Sequence, residues 1–79
     1  MAHYKIESPM FGSIAQINCE AGDTVEEGDV LFMMEAMKFQ YHVESPADGI
    51  FYPLVPLGAV VSEGQMIGKV EVPKQENKK

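Results

Sequence analysis

From Phe39 to Glu44 the chain alternates apolar and polar positions without a break: Phe39, Tyr41 and Val43 against Gln40, His42 and Glu44. A two-residue period of this kind predicts a β-strand with one face on a core. Just upstream, Val30–Met34 is apolar at every position, as expected of a strand covered on both faces. Read along the whole chain, the pattern predicts strands over Tyr4–Glu7, Ser13–Cys19, Val30–Glu35, Phe39–Glu44, Ile50–Val55 and Met66–Val72, with short pieces near Val25 and Val60. No window sustains a helical period, and Pro9, Pro46, Pro53, Pro56 and Pro73 interrupt most windows long enough for one. Pro53 inside a strand predicts an edge or bulged strand, because proline cannot donate to a ladder.

The pattern also repeats. "SPMFGSI" at 8–14 returns as "SPADGIF" at 45–51, at an offset of 37, and "GDTVEEGDVL" at 22–31 returns as "GAVVSEGQMI" at 58–67, at an offset of 36. One residue has been gained or lost between the two blocks. The chain is therefore two copies of one unit: strand, Ser-Pro turn, strand, Gly-anchored loop, short Val-rich strand, acidic Gly turn, strand. If a pseudo-two-fold axis relates the copies, Glu35-Ala36-Met37-Lys38 sits where copy one hands over to copy two. Its counterpart in copy two falls at the end of the chain, just past Val70-Glu71-Val72. This places a hairpin tip at one end of a small β-barrel or sandwich, opposite the termini.

That tip has unusual chemistry. Two-residue hairpins favour Gly, Asn and Asp because both central positions of a type I′ turn need φ > 0. Met37 and Lys38 are neither, at a cost of roughly 1 kcal/mol or more per positive-φ residue. A turn lysine is ordinarily just a solvated side chain. Here the strain and the exposure of apolar Met37 and Phe39 beside it point to side chains needed at that spot.

Composition narrows the class. Seventy-nine residues, 46% hydrophobic and 23% charged, make one globular domain over 1–73, with "KQENKK" at 74–79 as a polar tail or linker. The net charge is −6 and arginine is absent, so phosphate and nucleic-acid binding are poor fits. Lys5, Lys38 and Lys69 are the lysines of an otherwise acidic body, which suits a basic docking partner. No apolar run reaches the roughly 18 residues of a membrane span, so no direct membrane insertion is expected. Cys19 is the single cysteine, so no internal disulfide forms, and a reducing, cytoplasmic setting is expected.

At the tip the sequence resembles the biotinyl domains of biotin-dependent carboxylases, decarboxylases and transcarboxylases. "EAMK" at 35–38 looks like that family's attachment motif, and the resemblance extends over residues 4–72, through "SPMFG", "SPADG" and both acidic Gly turns. It implies an all-β fold, a flattened eight-stranded β-barrel/sandwich hybrid with the acceptor lysine on an exposed β-hairpin tip. It implies covalent biotin on Lys38, with Glu35, Ala36, Met37 and Phe39 as recognition flanks. The implied partners are a biotin protein ligase, which acylates the lysine from an activated biotin, and the biotin carboxylase and carboxyltransferase components that load and unload a carboxyl group. The domain would be a non-catalytic carrier. Two features depart from the pattern. Phe39 stands where the family usually has Met, and the short link from Gly12 to Gly22 leaves no room for the protruding thumb of the bacterial acetyl-CoA carboxylase carrier.

Two alternatives stand beside it, the second from another class. Lipoyl domains of 2-oxo acid dehydrogenase complexes share the architecture, but typically flank the lysine with Asp and Ala rather than Met37 and Phe39. The other alternative is an unmodified interaction or assembly module. Further candidates fall away on chemistry. His3 and His42 are isolated, so no metal site is expected, and Cys19 reads as a small packed hydrophobe. The spacing Gly22–Gly28 lacks the Lys-Ser/Thr of a phosphate loop. The acids Asp23, Glu26, Glu27 and Asp29 read as a solvated loop.

Overall fold

The computed structural model describes residues 2–73, so the tail expected over 74–79 lies outside the described residues. Eight strands follow in order: β1 (Ala2–Glu7), β2 (Gly12–Ile17), β3 (Asp23–Val25), β4 (Val30–Ala36), β5 (Phe39–Glu44), β6 (Gly49–Pro53), β7 (Val60–Val61) and β8 (Met66–Val72). They form two four-stranded antiparallel sheets, ordered β1-β8-β6-β3 and β5-β4-β2-β7. Adding four to each strand number, or subtracting it, turns one order into the other. Each sheet therefore takes two strands from each copy, and neither copy forms a sheet alone.

The ladders carry the same two-fold relation. Ala36 pairs with Phe39, and at the equivalent rung Val72 pairs with Ala2. Tyr41 pairs with Met34 as Tyr4 pairs with Val70. The one-residue change of offset has a location. The β2–β4 register shifts between Ile14 and Gln16, whereas the equivalent β6–β8 ladder runs without a shift from Ile50↔Glu71 to Pro53↔Gly68. Ala15 is thus the extra residue of copy one, taken up as a bulge.

Between the sheets lie Ile6, Ile14, Val25, Leu31, Phe32, Met34, Val43, Phe51, Val61, Ile67 and Val70, all buried. Phe32 and Phe51 meet edge to face at the centre, with ring centroids 5.5 Å apart. Strand β4 is internal and buries Leu31, Phe32 and Met34, as its unbroken apolar run predicts.

The Ser-Pro turns join the copies reciprocally. Ser8 N–H donates to the Gln65 carbonyl and Gly64 N–H donates to the Ser8 carbonyl; Ser45 and Asp29, and Gly28 and Ser45, repeat the arrangement. Each buried serine hydroxyl also donates to a carbonyl two residues on, Ser8 to Met10 and Ser45 to Ala47, both at 2.6 Å. Every copy thus anchors its Ser-Pro turn on the acidic Gly turn of the other.

Three expectations need correction. Pro53 does not mark an edge strand, because β6 lies between β8 and β3. It is tolerated there because β3 pairs only with Gly49–Phe51, so the ladder on that side has ended before Pro53. Strand β2 stops at Ile17, leaving Cys19 in a loop packed partly against the core. Strand β5 is an edge strand whose alternation buries only Val43; Phe39 and Tyr41 are 63% and 40% exposed. Their rings stack on each other instead, edge to face at 6.4 Å.

Candidate functional site

Pairing of Ala36 with Phe39 closes the β4–β5 ladder and leaves Met37 and Lys38 as a two-residue turn. Of all described residues other than glycine, only Met37 has a positive φ, 58°. Only the first central residue being left-handed is the pattern of a type II′ turn, which follows the right-handed twist of the two strands. The strain expected of the turn therefore falls on Met37 alone, and Lys38 keeps ordinary backbone geometry.

Met37 is 97% exposed and buries almost nothing in return for that strain. Lys38 is exposed, and among the described residues its amine lies in no ion pair. The other lysines of the body are placed differently. Lys69 Nζ lies 3.0 Å from Glu71 Oε2 and above the Tyr52 ring, 5.5 Å from its centroid. Lys5 sits within strand β1, at the register position of Lys69. Among the lysines of the described residues, only Lys38 stands at a turn, with its side chain exposed.

The flanks divide into roles. Glu35 is exposed and pairs with Ser13 and Gln40 across the sheet. Ala36 is partly buried against Gly12, where a side chain could not fit: a Cβ on Gly12 would lie 2.6 Å from the Glu35 carbonyl oxygen. This contact holds β2 tightly against the base of the hairpin. Phe39 begins β5 with its ring exposed on Tyr41. The five residues picked out by sequence thus form one continuous structure at the tip.

Sequence reasoning missed the groove at its base. An open depression of about 530 Å³ is lined by Phe11, Gly12, Ser13, Glu35, Ala36, Met37 and Val60. Phe11 and Val60 are 67% and 65% exposed. The signal that could have found them was the repeat itself, since the aligned positions in the other copy hold Asp48 and Thr24.

The remaining candidates stay outside the site. No cluster of three or more metal-ligating side chains occurs among the described residues. Partial burial pushes the Cys19 thiol up from its ordinary value, and the carboxylates of Asp23 and Asp29 push it further. Both shifts oppose the thiolate form that nucleophilic chemistry requires. Asp23 and Asp29 also serve turns of their own, their carboxylates accepting from the N–H groups of Glu20 and Glu26 at 2.8 Å. No helix of the described residues is long and apolar enough to cross a membrane.

A family model described as biotin-requiring enzyme matches residues 4–70. The chain is 30% identical over 67 residues to the biotin-dependent acyl-coenzyme A carboxylase alpha3 subunit of Mycobacterium leprae, covering 84% of this chain and 11% of the relative. It is 47% identical over 38 residues to the glutaconyl-CoA decarboxylase subunit gamma of Acidaminococcus fermentans, covering 48% of this chain and 26% of that subunit. The chain thus spans only a small part of the relatives it matches. Among solved structures, the urea carboxylase of Kluyveromyces lactis superposes with a TM-score of 0.82 at 26% identity, over 90% of this chain and 6% of that one. The lipoyl domain of the Azotobacter vinelandii 2-oxoglutarate dehydrogenase complex superposes with a TM-score of 0.68 at 23% identity, over 84% of this chain and 95% of that one. The last shares the fold alone.

Proposed function

The chain belongs to the biotin-requiring enzyme family, and we propose that it works there as a biotin carboxyl carrier with the cofactor in amide linkage to Lys38. The carrying observation is the turn. A strained, exposed Met37 presents Lys38 at the far point of a hairpin within "EAMK", with the amine in no ion pair among the described residues. The residues fit the group, since an amine that is to be acylated must be reachable and unencumbered.

A lysine amine is overwhelmingly protonated in neutral water, so the ligase has to remove a proton before the amide forms. Among the described residues of the chain, no carboxylate is paired with this amine to take that proton. What the chain provides is a landing surface: exposed Met37 and Phe39 exclude water from the contact, and the ladder behind them sets the point from which the lysine stem departs. Biotin on Lys38 would supply a ureido nitrogen able to carry a carboxyl group between two active sites. Acylation makes Lys38 neutral, and the tether holds the cofactor at high effective concentration near both sites. Biotin carboxylase and carboxyltransferase components perform the chemistry, and the acidic body suits repeated weak docking on them. The carboxylase and decarboxylase relatives support either direction of carboxyl transfer. The free, part-buried thiol of Cys19 suits a cytoplasmic setting.

Incubation with a biotin protein ligase, biotin and ATP, followed by intact mass and peptide mapping, tests the reading. One biotin is expected on Lys38 and none on Lys5 or Lys69, and Lys38→Arg abolishes labelling. Labelling elsewhere, or preferential attachment of lipoate by a lipoate ligase, overturns it.

A further inference from the structure

The groove below the tip contains side chains that the fold does not require, and the two-fold repeat serves as an internal control. At the equivalent place in the other sheet, Gly12 corresponds to Gly49, Glu35 to Glu71, Phe11 to Asp48 and Val60 to Thr24. Both glycines meet the facing strand in the same way, since a Cβ on Gly49 would collide with the Glu71 carbonyl. The backbone frame is therefore common to both ends. The apolar side chains are not.

Asp48 has a structural task, its carboxylate accepting a hydrogen bond from Glu27 N–H at 2.8 Å. Phe11 offers no such acceptor to Glu63, the counterpart of Glu27. At the tip end that acceptor is absent and an exposed phenyl ring stands in its place. Val60 likewise presents an isopropyl group where Thr24 presents a hydroxyl. Together with Met37 these residues form an exposed apolar surface beside Lys38, an arrangement that calls for something to cover it.

We infer that the groove is the resting site of the biotinyl group carried by Lys38, an inference that rests on the carrier reading above. The occupant follows from the tether. Met37 is a wall of the groove and is bonded to Lys38. Strands β2 and β7 lie one and two strand spacings from β4, about 10 Å away at most. A lysine stem with a five-carbon acyl chain reaches about 12 Å at ordinary bond lengths, so the ring can arrive at Phe11 and Val60 without strain. The volume of about 530 Å³ falls in the range of roughly 300–1,000 Å³ usual for small-molecule sites. Phe11, Ala36, Met37 and Val60 match the acyl chain and the sulfur-containing ring. Glu35 and Ser13 are the polar side chains of the wall, offering a carboxylate acceptor for the ureido N–H groups and a hydroxyl for the ureido oxygen. Because the groove is open, the ring leaves it readily for a partner's active site.

The test uses the full 79-residue chain, unmodified and biotinylated, with proton–carbon NMR of the methyl groups and intact mass as a parallel readout. Biotinylation is expected to shift the methyl signals of Ala36 and Val60 and to give nuclear Overhauser contacts from the biotin ring to Phe11. The methyls of Thr24 and Val72, at the equivalent place, stay unchanged. The variant Phe11→Asp/Val60→Thr changes two exposed residues to those the other copy already carries, so it is expected to fold, and a melting curve checks this. The variant is expected to take one biotin by mass and to show no biotin-induced shift of the Ala36 methyl signal. A chain that gains one biotin but leaves the Ala36 and Val60 methyl signals unmoved, or an Ala36 shift that survives in the variant, overturns the resting site and leaves the groove to a partner's side chain. A chain that gains no biotin overturns the carrier reading, and the resting site with it.

Discussion

Ala36 faces Phe39 across the last rung of the β4–β5 ladder, and that one pairing decides how the lysine is presented. With the rung closed, two residues reverse the chain, and only the first of them, Met37, is left-handed. Lys38 occupies the second position, so the ladder sets its Cα–Cβ direction and hence the point from which its flexible stem departs.

The register of the amine should therefore matter more than its presence. Exchanging the two residues, Met37→Lys with Lys38→Met, preserves composition, charge and exposure. Stability should change by ~0.5 kcal/mol or less, as for surface substitutions generally. Misplacement of a reacting group by even ~1 Å can cost about a hundredfold in rate. A folded chain that takes biotin about a hundred times more slowly is expected from ligase kinetics with a melting curve alongside. Equal rates would mean that any lysine on the turn suffices.

Strain and recognition separate at Met37. Met37→Gly removes a left-handed cost of roughly 1–2 kcal/mol but adds about 0.4–1 kcal/mol of unfolded-chain entropy. A net gain in stability of about 0.5 kcal/mol is expected in denaturant titration. Biotin loading should fall at the same time, because the side chain that meets the ligase is gone. A variant less stable than the parent would show that Met37 is not strained.

The exchange of turns between the copies predicts equal costs at two distant serines. Ser8 and Ser45 are buried at 2% and 3% exposure, and each hydroxyl satisfies a carbonyl of its own turn. Ser8→Ala and Ser45→Ala should each lose about 1–2 kcal/mol. Urea unfolding of both single variants and the double variant measures this. A cost confined to one serine would contradict the equivalence of the two turns.

Close approach and backbone conformation make different demands on glycine. Gly12→Ala would force a Cβ to within 2.6 Å of the Glu35 carbonyl oxygen, so a loss of about 2–3 kcal/mol is expected, with displacement at the base of the tip. Gly22 has open space around it but a φ of 91°, so Gly22→Ala should lose only ~1 kcal/mol. Thermal unfolding ranks the two, and the reverse order would refute the close-packing account.

Cys19 should behave as a slow thiol. Its raised pKa leaves less thiolate at neutral pH than a free cysteine has. Alkylation by iodoacetamide should therefore be slower than that of glutathione at pH 7.5, and should accelerate with rising pH to a midpoint above the ordinary thiol value. Asp23→Asn removes one of the charges that raise it and should shift that midpoint down.

Local patterning in the amino-acid sequence was enough to determine most of the strands, the two copies and the place of Lys38. Period-two alternation and unbroken apolar runs are properties of neighbouring residues, and a repeat is visible wherever the same neighbours recur. Even the bulge was present as a change of offset, though its position at Ala15 needed the β2–β4 register. Tertiary structure decided what depends on partners distant in the chain. Strands from different copies were interleaved in both sheets because neither copy can cover its own apolar face. Pro53 was accommodated inside a sheet because a three-residue neighbour stops short of it. The β5 alternation, which reads as a half-buried strand, was left largely exposed because the strand lies at a sheet edge and runs past the core into the tip. The groove arose in the same way. Phe11, Val60 and Met37 come from three separate segments and meet only because β2 lies between β4 and β7, and sheet order is a property of the folded chain alone.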